Sequence, residues 1–220
     1  VCTNFCRAVK PKKNYSKFMY YYWLYLYDRN VFFLYEKLKI NYKKIKYSLC
    51  SIAFNSETKS FGSKVDTLYN AKTEGKSAKF PRVSPNGKYL IFTLSEFGNF
   101  SIWHHDADLY LYDFRNNSYQ PLNKLNSNYT ESYHSWASNS HWLVFSSRRD
   151  DGLYTRPYIA YVNENGETGK PFLVPQEDPD FYKDFMFSYN IPELIKHKVN
   201  INSKTLEKIA KNGNTVKIHR

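Results

Sequence analysis

A chain of 220 residues with 19% aromatic side chains, among them 21 Tyr and 16 Phe, can build one substantial core or two small ones, and flat rings favour pleated, half-buried strands. Its formal net charge of +12 belongs to the ends: residues 1–46 carry 11 Lys and Arg against 2 acids, residues 196–220 carry 7 against 1, and residues 47–195 carry 14 against 17. The aromatic middle is thus slightly acidic, which argues against a nucleic-acid footprint there and leaves the basic flanks as solvated tails.

The first stretch, residues 1–44, is basic and aromatic. Cys2 and Cys6 lie here and Cys50 just beyond; they form no CxxC pair, no His stands at zinc-ligand spacing, and one disulfide is possible but unforced. The sequence opens "VCTNFC" without Met, so a fragment or a processed chain is expected. "KPKKNYSKFMYYYWLYLY" has the basic lead of a signal peptide without a small-residue cleavage site, and a strand is the better reading. Residues 20–36 read as two aromatic strands around "DRN". No run reaches the roughly 18 apolar residues of a membrane span.

From residue 45 the pattern becomes regular. "IKYSLCSIAF", "NSETKS" and "SKVDTL" read as strand, turn and strand. "FPRVSPNGKYLIFTLSEFGNFSIWHHDADLYLYDFRNNSYQPL" then parses as four strands, with Pro85, Asn86 and Gly87 in the first turn because Asn and Gly tolerate positive φ. "SYHSWASNSHWLVFSSRRDDGLYTRPYIAYVNENGETGKPFLVP" repeats the order. Aligning Phe92 with Phe145 sets Tyr89 on Trp142, Asn86 on Asn139 and Ser84 on Ala137. A four-strand unit with a period of roughly 40–55 residues is the pattern of propeller blades, each of which buries its faces against the next. The expected fold is therefore all-β: four-stranded antiparallel blades at 80–122 and 132–174, in a partial propeller. Tyr89, Phe92, Trp142 and Phe145 should be buried, and Asn86 and Asn139 should lie in exposed turns.

"SPNGKYLIFT" resembles the PD-type (WD40-like) propeller repeat of the TolB family, and "SNSHWLVFSSRRDDGLYTRPYIAYV" is similar to that repeat's continuation. Residues 45–175 carry the resemblance, and the run to "KPFLVPQEDPDFYKDFMFSYNIPEL" is similar to the C-terminal half of TolB-like proteins of Bacteroidetes. Asn86 stands where Asp is usual, and Ser138 to Ser140 lack the usual Pro and Gly. The resemblance implies a six-bladed ring in the family at large, a periplasmic or envelope setting, a protein partner there, attachment to the membrane that is peripheral at most, and no cofactor. Two blades and part of a third make an open arc, for which a partial chain is the expected explanation.

Two clusters concentrate chemistry. In "WHHDAD", alternation would place His104, Asp106 and Asp108 on one strand face, beside His105, but one strand rarely supplies converging metal ligands. In "SSRRDDGLY", Arg148, Arg149, Asp150 and Asp151 either face a ligand or tether blades. No G-x-S-x-G elbow is present, and Ser132, His134 and Ser135 are close in sequence only, so catalysis has no support. The candidate binding surface is His104, His105, Asp106, Arg148, Arg149 and Asp150, on a scaffold that binds without metal or turnover. The other readings are the propeller part of a hydrolase and, through the basic termini, a nucleic-acid binder. Residues 176–220 should form a strap, packing Phe181, Phe185 and Tyr189, followed by a mobile tail after Lys196.

Overall fold

The computed structural model of the protein describes residues 18–22, 42–197 and 200–212. Eleven strands form three antiparallel sheets among these residues. The first sheet orders β1 (Phe18–Tyr22), β2 (Leu49–Asn55) and β3 (Ser60–Tyr69) with β2 central. A one-turn helix α1 (Ala71–Glu74) leads to the second sheet, in which β4 (Ser77–Val83), β5 (Tyr89–Ser95), β6 (Asp108–Asp113) and β7 (Ser118–Pro121) pair in sequence order. The third repeats this arrangement with β8 (Glu131–Trp136), β9 (Trp142–Ser147), β10 (Arg156–Tyr161) and β11 (Phe172–Leu173). Two four-stranded blades therefore follow a three-stranded sheet, an all-β partial propeller. Of the two strands expected in 20–36, β1 covers the start, and residues 23–41 lie outside the described residues.

The two blades agree in hydrogen bonds as well as in strand order. The amide of Ser84 donates to Tyr89 O at 2.8 Å, and that of Ala137 donates to Trp142 O at 2.8 Å. Asn86 Oδ1 accepts from Lys88 N at 3.1 Å, and Asn139 Oδ1 accepts from His141 N at 3.0 Å. Each inner strand also carries a bulge at the same place, between Lys79 and Arg82 in β4 and between Ser132 and Ser135 in β8. The bulges turn on Phe80 (φ 49°) and Tyr133 (φ 50°), aromatic residues in the left-handed region that L side chains rarely adopt. Their rings meet edge-on with centroids 5.1 Å apart.

Gly87 (φ 73°) and Ser140 (φ 64°) occupy the same turn position. Ser140 therefore takes a glycine conformation, and its Oγ accepts a hydrogen bond from Asn86 N of the other blade at 3.0 Å. The turn lacks the usual glycine because its side chain links the blades, which offsets the strain.

Blade packing follows from strand alternation. Tyr89 and Ile91 of β5 face the third sheet and form a core with Leu109, Leu111, Leu143, Phe145, Tyr158, Ala160 and Val162. Leu90, Phe92 and Leu94 face the first sheet and pack with Leu49, Tyr69, Ala71, Ala78 and Tyr112. Every residue of β5 is buried. Asn86 and Asn139 are exposed as expected, but Trp142 is only half-buried. Trp142 corresponds to Tyr89, whose side chain is covered by the following blade. The corresponding face after the third sheet is closed in part, by the strap, and Trp142 meets Tyr161 and Phe172 there.

The strap holds the last blade near its end. Its one-turn helix α2 (Phe181–Asp184) stacks Phe181 on Phe185 at 4.8 Å. Arg156 donates to Phe185 O and Phe187 O, both at 2.6 Å, and Tyr189 N donates to Thr155 O at 3.0 Å. A helix α3 (Ser203–Lys211) follows, exposed from Lys204 to Lys211. No helix among the described residues is long and apolar enough to cross a membrane.

Gly166 (φ 81°) tests the contact between blades: a Cβ there would lie 2.8 Å from Leu111 Cδ2 and 2.9 Å from Tyr89 Cε1. Gly166→Ala should destabilise by about 1–3 kcal/mol, as overpacking does, and Phe145→Ala by about 3–5 kcal/mol, as loss of a buried ring does. Trp142→Ala, on the part-open face, should fall well below Phe145→Ala in urea melts; equal losses would show that the alternation has been misassigned.

Candidate functional site

Both chemically rich clusters lie at one end of the blades, in the connections between second and third strands. The chain leaves β5, runs through a 3-10 turn at Ser101–Trp103 and reaches β6; the same connection in the next blade carries Arg148 to Thr155. Main-chain bonds tie the two together. Thr130 Oγ1 donates to His104 O at 2.7 Å, Arg148 N donates to Thr130 O at 3.1 Å, and Glu131 N donates to Ala107 O at 2.7 Å.

His104, Asp106 and Asp108 do not share a strand face, because residues 104–107 form a turn before β6 begins at Asp108. His104 is largely buried against Phe97, with ring centroids 4.4 Å apart, and its Nδ1 lies 3.7 Å from Asp106 Oδ1. Burial and the nearby Lys79 charge lower its pKa, opposed by Asp106 and Glu96. Among the described residues, no three His, Cys, Asp or Glu side chains gather as a metal set. His105 is exposed beside Tyr129, centroids 5.7 Å apart, and Asp106 is half-exposed near Lys76 at 4.0 Å.

The two arginines, adjacent in sequence, have opposite fates. Arg149 turns inward: Nη2 lies 3.2 Å from Oε1 of Glu131, which has 0% exposure, Nε donates to Ser147 Oγ at 2.9 Å, and the guanidinium covers the Tyr158 ring at 4.5 Å. Glu131 also accepts from Ser127 N at 2.8 Å and Ser147 Oγ at 2.8 Å. Burial nonetheless raises the Glu131 pKa, with those hydrogen bonds and Arg149 opposing. Asp150 accepts from Tyr158 OH at 2.5 Å. Arg149 and Asp150 are thus fastened to the blade and offer little to a ligand.

Arg148 is 8% exposed, yet its Nε has no hydrogen-bond partner and no carboxylate among the described residues stands within ion-pair distance. Its guanidinium lies over the ring of Trp103, 4.1 Å from the centroid. Trp103 is 73% exposed, and Phe100 and Leu153 are exposed on the same two connections. Comparison of the blades explains the missing partner. By the common register, Arg148 corresponds to Ser95, and Lys79 corresponds to Ser132. In the first blade Lys79 Nζ donates to Ser95 Oγ and, at 2.8 Å, to Phe97 O. In the second the cation has moved to the strand end, and Ser132 turns to Ser101 Oγ at 2.6 Å instead.

Trp103, Phe100 and Leu153 were not distinguishable as site residues in the sequence. An exposed Trp one residue before "HHDAD" was the available signal. Ser132, His134 and Ser135 form no catalytic set, since His134 Nε2 faces Ile91 O at 3.0 Å and Nδ1 has no partner.

No family model matches the chain, and no curated protein matches it. Among solved structures, an acylaminoacyl peptidase from Pyrococcus horikoshii is similar over 80% of this chain, at 16% identity and a TM-score of 0.35. The chain spans 26% of that protein's length.

Two outcomes follow. Arg149→Ala strands the buried Glu131 carboxylate and should cost about 3–5 kcal/mol at pH 7, and the loss should shrink as pH falls and Glu131, its pKa raised by burial, takes up a proton; urea melts across a pH series measure both. Burial, followed by the Arg82 charge, lowers the His134 pKa to about 3. An unfolded His titrates near 6.5, so this group's contribution is complete above that pH. It is lost as pH falls from there toward 3, at up to about 1.4 kcal/mol per pH unit. His134→Gln should flatten that part of the stability profile, and an unchanged slope would contradict the burial.

Proposed function

We propose that the protein is a non-catalytic, TolB-like propeller scaffold that binds a protein partner in the bacterial cell envelope through the connections between second and third strands. The observation that carries this reading is the exposed Trp103 stacked on the nearly buried Arg148, whose Nε has no partner, with Phe100 and Leu153 exposed on the same two connections. Exposed apolar side chains beside a desolvated arginine have the composition of a binding hot spot. Rigid blades hold such loops in place without ordering them at the moment of binding. The register of "SPNGKYLIFT" with "SNSHWLVFSS" supports the repeat type, and the envelope setting rests on that resemblance.

A photoreactive phenylalanine analogue at Phe100, in cells of a Bacteroidetes host, should yield discrete adducts with a protein of the envelope fraction. The same group at Asn116, in the exposed turn at the opposite end of the first blade, should yield none. Equal labelling from both ends, or adducts confined to the cytosolic fraction, would overturn the assignment.

A further inference from the structure

We infer that Arg148 is the anchor of a carboxylate-binding site, with Trp103 as its apolar platform and an acidic group of a peptide segment as its ligand. The inference deepens the scaffold reading and rests on it for the nature of the partner. Two independent observations carry it.

The first is the unmatched charge. Arg148 is 8% exposed as a residue and its Nε is enclosed, and a charge in that position is ordinarily paired. Its neighbours in this structure are so compensated: Arg149 has Glu131, Arg156 has the Phe185 and Phe187 carbonyls, and Lys79 has Ser95 and the Phe97 carbonyl. Arg148 has the face of Trp103 and an unpartnered Nε. Asp151 is close enough to favour its charge, but neither Asp151 oxygen is within ion-pair distance, and Oδ1 accepts from Leu153 N at 2.7 Å and Tyr154 N at 2.8 Å. A planar carboxylate matches the geometry of the guanidinium fork, with one face already stacked.

The second is the surroundings. Trp103, Phe100 and Leu153 offer exposed apolar surface, which an inorganic anion cannot use and an aromatic or aliphatic neighbour of a carboxylate can. The acids on these connections, Glu96, Asp106, Asp150 and Asp151, oppose a second negative charge, so the site favours a singly charged carboxylate over a phosphate dianion.

The test uses the full chain and four probes: 3-phenylpropanoate, its neutral amide, phenyl phosphate, and a pair of acetylated Phe peptides presenting the carboxylate on an Asp side chain or at the C-terminus. The readouts are the Trp103 indole N–H resonance, assigned with Trp103→Phe, and the Arg148 Nε–H resonance. The expected result is a saturable shift with 3-phenylpropanoate and binding about tenfold or more weaker with the amide, the scale of a hydrogen bond to a charged group. Phenyl phosphate should bind more weakly than the carboxylate, and the two peptides report whether a side chain or a chain end is preferred. Arg148→Gln should abolish the shift, and Arg148→Lys should reduce it by losing the fork. Equal binding of acid and amide, tighter binding of the phosphate, or undiminished binding by Arg148→Gln would overturn the inference. If Arg148→Gln unfolds, the acid and amide comparison on the unaltered protein and the Arg148→Lys variant decide it. Carboxylate selectivity without an envelope adduct at Phe100 would sink the scaffold reading alone, and an adduct without selectivity would sink this inference alone.

Discussion

A strand in the middle of a blade has no solvent side, and the rest of the structure depends on that constraint. β5 is buried at all seven positions, so its sheet requires a neighbour on each face. Alternation then divides the residues cleanly: Tyr89 and Ile91 go to one neighbour, Leu90, Phe92 and Leu94 to the other. The strand ends and turns come into register because the faces do, which is how Asn86 meets Ser140 and how Trp136 Nε1 reaches Arg82 O at 3.0 Å. The loops that carry the charged clusters are positioned by the same stacking, since each lies at the end of the second strand of a blade.

The blades were legible because two periodicities agree in them: strand alternation within each unit and the recurrence of Phe92 as Phe145 between units. The turn chemistry of Asn86 and Asn139 set their ends. What alternation could not supply was the occupancy of each face. Tyr89 and Trp142 are equivalent along the chain, but Tyr89 is covered by the following sheet while Trp142 meets only rings of its own blade, so their burial differs. The same limit applies to the arginines. Arg148 and Arg149 lie past the end of β9, where the chain turns, and separate into a stacked charge and an inward tether to Glu131, while a sequence shows both as members of one basic pair. The His104 to Asp108 cluster was read as a strand, but the chain turns before β6.

The interior treats charge in two distinct ways. Where a cation is structural, the fold surrounds it with oxygen: Arg156 fastens the strap through main-chain carbonyls, and Arg149 joins Glu131, Ser147 and Leu125 O. Lys79 shows what that containment costs, since burial lowers its pKa to about 8. Arg148 follows the second pattern, desolvated on one side by an aromatic face and left without an acceptor, and arginine tolerates this because its charge is delocalised and weakly hydrated. The contrast separates residues that hold the blades through oxygen from one that touches an aromatic face instead.

The Ser140 turn also bears on how a repeated architecture grows. A glycine in that place would suit any blade equally, as Gly87 suits the first, because it makes no demand on its surroundings. Ser140 instead accepts the strained backbone in return for a bond from the Asn86 main-chain N–H, a bond that exists only when another blade precedes it. The two units are therefore not interchangeable modules: duplicating the second in place of the first, or permuting their order, would keep every strand and turn while leaving a serine in a glycine conformation with nothing to bond. Divergence at one turn residue has given the arc a direction, written in which blade must come next.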